Sequence, residues 1–174
     1  MRPFVFGFVA AIVTLPLGVL GYLRLGLGDA PADTPPPAWE SRLMGAAVHA
    51  AVARSATGLT PPARANDDAV VQGGKLYMEG CAGCHGELGK PYAEERDHYP
   101  PAPQLLHTGT VYTEPQIYWV VKHGIGMTAM SAYGPFYSEE QLWAIAAFLH
   151  RARNLPPGVA DRILAKPVEG KPGG

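Results

Sequence analysis

The 174-residue chain has two cysteines, three positions apart in Cys81-Ala82-Gly83-Cys84, with His85 directly behind them. Several chemistries use a cysteine pair at this spacing. A redox dithiol of thioredoxin type wants a βαβ setting, and no run of alternating strand residues is visible. A structural zinc site needs four ligands. Three donors packed into Cys81, Cys84 and His85 are too crowded to supply three of them, and there is no second cysteine pair. A plain disulfide has no use for the histidine. In covalent haem attachment the two thiols add across the two vinyl groups of one porphyrin, and the adjacent imidazole reaches the iron. Two intervening residues let one turn of chain span the porphyrin edge. The motif therefore predicts one covalently bound haem c on Cys81 and Cys84, with His85 as an iron ligand.

The elements that must position this motif read as helices. Asp67 or Asp68 is expected to cap a helix running to about Glu79, with acids at its positive end. That helix leads straight into Cys81. A second is expected over Glu114–His123, with Thr113 as its cap, Pro115 in its first turn and Gly124 as its stop. A third is expected from Ser138 to about Arg153. Ser138 and Gln141 have capping-box spacing, and Leu142, Ile145 and Leu149 form an apolar stripe. The fold class is all-α, three main helices joined by long loops. Three short helices bury too little apolar surface by themselves, and a flat apolar porphyrin would complete the interior.

The residues then resemble the class I c-type cytochromes over about Asp67 to Arg153. Those proteins carry a glycine eight residues before the first haem cysteine and an aromatic four before it, here Gly73 and Tyr77. Their last helix carries a leucine-x-x-aromatic pair, here Ile145 and Phe148. The resemblance implies close crossing of these two helices, with the glycine allowing the approach. It also implies a proline carbonyl that accepts from the second nitrogen of the iron-bound imidazole. Pro103 fits best, with Pro101 as the alternative in a longer loop. The stretch Trp119 to Gly134 resembles the segment before the distal ligand in membrane-anchored, single-haem cytochromes of bacterial respiratory chains. Met130 falls at the ligand position, and Met127 is its rival. Ala129 and Ser131 depart from the family's glycine and proline. His98, His107 and His123 are bis-histidine alternatives but read as surface groups, Met78 and Met44 as packing residues. Arg96 is read as a solvated arginine, and no haem-propionate partner is assigned.

The resemblance implies a one-electron carrier rather than an enzyme. A thioether opposite an imidazole raises the potential and leaves iron no open position. Two alternatives stand beside it: a fixed haem subunit of a larger membrane oxidoreductase, and an open-iron haem enzyme or sensor. The expected partners are redox proteins, namely membrane dehydrogenase or oxidase complexes.

The rest of the chain concerns placement. Phe4–Leu23 contains no charged residue, and roughly 20 such residues cross a hydrocarbon core. It is read as an uncleaved membrane anchor, because a signal peptide's apolar region is only about 7–15 residues long. The expected divisions are 1–24 anchor, 25–65 proline-rich linker with one helix over Trp39–Ser55, 66–155 haem domain and 156–174 flexible tail. In the linker helix Leu43, Ala47, Ala50/Ala51 and Arg54 recur at helical spacing; whether it lies on the membrane or packs on the haem domain is open. His49 in it is read as a surface or packing histidine. Family practice places covalent haem on the outer side of the cytoplasmic membrane, so the haem domain is expected to face the periplasm. Between Asn66 and Leu155 six Lys/Arg oppose ten Asp/Glu, a net −4, while the whole chain carries −1. Nothing in this balance supports a nucleic-acid partner.

Overall fold

The computed structural model describes residues 2–28, 31, 34–62, 66–92 and 99–165. Every regular element among them is helical. Helix α1 spans Arg2–Arg24, and Pro16 lies inside it without ending it. Its side chains are unburied over Pro3–Arg24, a span long and apolar enough to cross a membrane. Its threonine, Thr14, donates back to Ala10 O at 2.9 Å, so the group is satisfied within the helix.

Helix α2 spans Ala38–Ser55 and packs against α6 (Glu114–His123). This settles the question the sequence left open. Ser41, Gly45, Val48 and Val52 are withdrawn from solvent along one face, and Ala56 just beyond the helix continues the line. Val52 is 1% exposed, whereas Leu43, which the sequence placed on the periodic apolar stripe, is 55% exposed. In an alanine-rich helix nearly every face is apolar, so periodicity cannot select the one that packs. His49 meets the Tyr112 ring at 5.0 Å.

Helix α3 (Asp67–Gly80) is capped by Asn66 and not by Asp67 or Asp68. Asn66 keeps an extended backbone, and its Oδ1 accepts from Ala69 N at 2.9 Å. The two acids already lie in the first turn, where they favour the positive end of the helix. Helix α4 is the single turn Ala82–His85, and α5 is Leu105–Thr108. At α6 the Thr113 amide donates to Gln116 Oε1 at 2.9 Å. Helix α7 spans Glu139–Arg151, followed by a 3₁₀ turn over Ala152–Asn154. Its capping box is formed in both directions between Ser138 and Gln141.

Helices α3 and α7 cross at Gly73. A Cβ built there would lie 1.9 Å from Ala144 O, so backbone meets backbone. Tyr77 and Phe148, each fully buried, pack beside the crossing with ring centroids 5.3 Å apart. On the other side of α7, Trp143 stacks on Tyr118 of α6 at 4.1 Å, and Lys122 bonds both Glu139 and the Tyr118 hydroxyl.

The expected flexible tail from residue 156 is corrected in its first part. Helix α8 (Val159–Leu164) buries Val159 and Ile163 against α3, and Arg162 pairs with Asp68. Gly74 leaves the space that Ile163 fills, since a Cβ there would sit 2.4 Å from Ile163 Cδ1. The helical domain therefore continues past Leu155, and its three main helices gain cover from α2 and α8. Residues 166–174 lie outside the described residues. The sequence missed α8 because two buried side chains in six residues make no periodic signal.

Candidate functional site

Cys81 ends α3, its amide donating to Tyr77 O at 2.8 Å. Cys84 and His85 follow on the turn of α4, with His85 N donating to Cys81 O at 3.0 Å. Both sulfurs are thus presented from one turn, Cys81 half-buried and Cys84 exposed. No disulfide joins them. Burial, and secondarily the neighbouring Cys84, pushes the Cys81 thiol up to about 11. A substituent at Gly83 would meet nothing within 4 Å, while Ala82 is packed into the interior.

The ring of His85 is fixed by a backbone acceptor. Its Nδ1–H donates to Pro103 O at 2.9 Å. The acceptor belongs to Pro103 and not to the alternative Pro101. Nε2 has no protein partner among the described residues, so one ring nitrogen is oriented and the other is left with its lone pair.

Three side chains tie down carbonyls around this turn. The buried Tyr77 hydroxyl donates to Gly86 O at 2.7 Å, Gln104 Nε2 to Cys84 O at 3.0 Å, and Tyr133 to Gly80 O at 2.9 Å. Burial raises the Tyr77 and Tyr133 hydroxyls above the usual range, so they remain donors. Gln104 is the one buried polar side chain among the described residues, 5% exposed. Sequence reasoning gave it no role; the only cue was its place directly after Pro103.

Tyr133 also connects this turn to the loop that carries Met130. Gly124 closes α6 with φ +69, and a Cβ there would clash with Met130 O at 2.6 Å. Ile125 N donates to Met130 O at 3.0 Å, and Thr128 Oγ1 donates to Ile125 O at 2.8 Å while accepting from Met130 N at 3.1 Å. Met130 is half-buried inside this network. Met127 stands fully in solvent on a left-handed backbone, φ +59.

The other candidates fall elsewhere. The Met78 sulfur faces Leu88 N at 3.5 Å, and Met44 is 51% exposed. His107 and His123 are exposed, meeting the Tyr92 and Trp119 rings. His98 and Arg96 lie outside the described residues. No group of three or more His, Cys, Asp or Glu that could hold a metal ion occurs among the described residues.

Residues 68–149 match the family described as cytochrome C oxidase, cbb3-type, subunit III. The match is consistent with a class I c-type cytochrome domain over this part of the chain. The match runs from the first turn of α3 to near the end of α7, and so includes the cysteine turn, Pro103 and the Met130 loop. No curated protein and no solved structure matches the chain. The cytochrome domain carries a haem-based electron-transfer role. Its donor set fits that group: two thiols on one turn, and an imidazole whose remaining nitrogen has no protein partner among the described residues.

Proposed function

We propose that the chain is a membrane-tethered one-electron carrier with a single haem c. Cys81 and Cys84 form the thioether links, His85 supplies the proximal nitrogen, Met130 the distal thioether, and Pro103 the acceptor that holds His85. The observation that carries this reading is the His85 Nδ1–H bond to Pro103 O, which commits one ring nitrogen and spares the other. When bound, the haem supplies a metal that accepts and donates single electrons.

The chain's own residues orient and shield. Pro103 fixes the tautomer and plane of the His85 ring. Thr128 and Gly124 fix the backbone on which Met130 sits. Tyr77 and Tyr133 hold the carbonyls at either side of the cysteine turn. Groups already held in place have little to rearrange during electron transfer, which favours speed.

α1 is assigned as the anchor, with the haem domain on the outer, periplasmic side of the cytoplasmic membrane. The haem domain takes in α2 and α8, which leaves residues 25–37 as the spacer. Tethering raises the effective concentration near membrane partners. The net-acidic domain of residues 66–155 would be steered toward a basic patch on a dehydrogenase or oxidase complex. A rate to the true partner that did not fall with rising ionic strength would exclude such steering.

A second reading, a fixed haem subunit of a larger oxidoreductase, is favoured by the family match to an oxidase subunit. Purification in mild detergent separates the two: a lone monomer favours the carrier, co-purifying subunits the complex. The absorption spectrum of the full chain tests the ligand set. A covalent c-type spectrum with a weak sulfur-to-iron band in the oxidised state supports it. Rapid, complete carbon monoxide binding to the ferrous protein would instead favour open iron.

A further inference from the structure

We propose that Gln104 is the positioning residue of the proximal side, locking the cysteine turn and the Pro103 carbonyl into one unit so that the His85 hydrogen bond cannot lengthen. The inference rests on the haem reading above and deepens it.

Pro103 lies in non-helical backbone just ahead of α5, and Pro103 itself is exposed. Loop backbone of this kind holds a carbonyl poorly unless something anchors it. The next residue provides that anchor. Gln104 turns its side chain inward and donates from Nε2 to Cys84 O at 3.0 Å, the carbonyl directly before His85. Its own carbonyl opens α5, accepting from the amides of His107 and Thr108 and from the Thr108 hydroxyl. One residue thus joins a helix start to the cysteine turn, and the Pro103 carbonyl sits between these two fixed points.

The turn has been shaped for this side chain. Gly86 adopts φ +92, and a Cβ there would lie 2.6 Å from Gln104 Oε1. The Gly86 carbonyl is held from the opposite side by Tyr77. A polar amide at 5% exposure is costly unless it is bonded. An apolar residue of the same length would fill the space with no such cost, so the amide is better explained by placement than by packing.

The test uses the full, haem-loaded chain, with Gln104→Met and the isosteric Gln104→Glu, neither of which offers the amide donor. Asn66→Ala serves as a control destabilised at a distant helix cap. In the reduced protein the His85 Nδ1 proton should exchange with solvent at least tenfold faster in both Gln104 variants than in the wild type. The midpoint potential should rise, because a weaker bond leaves the imidazole less electron-donating. Asn66→Ala should move neither readout. Unchanged exchange and potential in the Gln104 variants would overturn the role. Should neither variant hold haem, the wild-type chain decides the matter through its Gln104 side-chain amide protons. Slow exchange supports the buried bond to Cys84 O, and fast exchange refutes it. A chain that takes up no covalent haem at all overturns the site reading itself, a result distinct from either.

Discussion

Replacing Gly73 with alanine tests the crossing that holds the cysteine turn in place. The added Cβ would lie 1.9 Å from Ala144 O, 2.3 Å from Ala144 C and 2.9 Å from Ile145 N. None of these atoms is the end of a flexible side chain, so relief requires α3 and α7 to separate by about 1.5 Å to regain van der Waals distance. A gap of about 0.5–1 Å already forfeits a quarter to a half of each dispersion contact. The loss falls on Tyr77, Ile145 and Phe148, all fully buried at this crossing. Overpacking of this kind costs about 1–3 kcal/mol, more where backbone must move, and alanine's better helix propensity returns up to about 1 kcal/mol. Because backbone must move, the upper half of that range applies, and a net loss of about 1–2 kcal/mol follows, worth a fall of about 4–16 °C in Tm for a domain of this size. Two neighbouring glycines calibrate the result. Gly74→Ala meets mainly the tip of Ile163, which can turn aside, and should cost less. Gly83→Ala meets nothing and should be near neutral. Thermal unfolding followed by far-ultraviolet circular dichroism would give the series. A Gly73→Ala protein melting within about 3 °C of wild type would refute backbone contact at the crossing.

Met130→Ala should abolish the sulfur-to-iron band of the oxidised protein while Met127→Leu leaves it intact; the reverse pattern would make Met127 the ligand. Removing residues 156–174 uncovers the α3 face under Val159 and Ile163, and at about 1.5–3 kcal/mol for each buried side chain the loss should be about 3–6 kcal/mol by denaturant titration; an unchanged midpoint would return α8 to the status of a loose tail. Asn66→Ala should cost about 1 kcal/mol and Asp67→Ala clearly less, with equal losses arguing against Asn66 as the cap. Hydrogen bonds from Lys122 and then Tyr118 hold the Glu139 carboxyl below its usual range. A lowered carboxylate stabilises the fold above its unfolded pKa and loses that contribution as the pH falls through the folded one. Glu139→Gln should therefore be slightly less stable than wild type near neutrality, a small effect for so exposed a pair, and the difference should close in acid; a difference that persisted at low pH would point to packing instead.

The site was legible in proportion to how locally its residues act. The cysteine turn, the Ser138–Gln141 box and the Thr113 start are each written within a few consecutive residues, because one turn of helix decides them. Gly73, Tyr77, Ile145 and Phe148 were legible only as a family pattern, and the physical reason for the glycine emerges where Ala144 O comes against it. Gln104 was legible only as the neighbour of Pro103, since its bond joins it to a residue twenty positions away.

By itself the sequence determined the chemistry available: two thiols and an imidazole on one turn, an apolar span at one end, and helices long enough to carry them. Only the tertiary structure decided which face of α2 packs, that α8 closes the domain, and which carbonyl receives His85. These are choices among groups of nearly equal local preference. Contacts between segments distant in the chain make the difference, and such contacts leave no periodic or neighbouring trace in the order of residues.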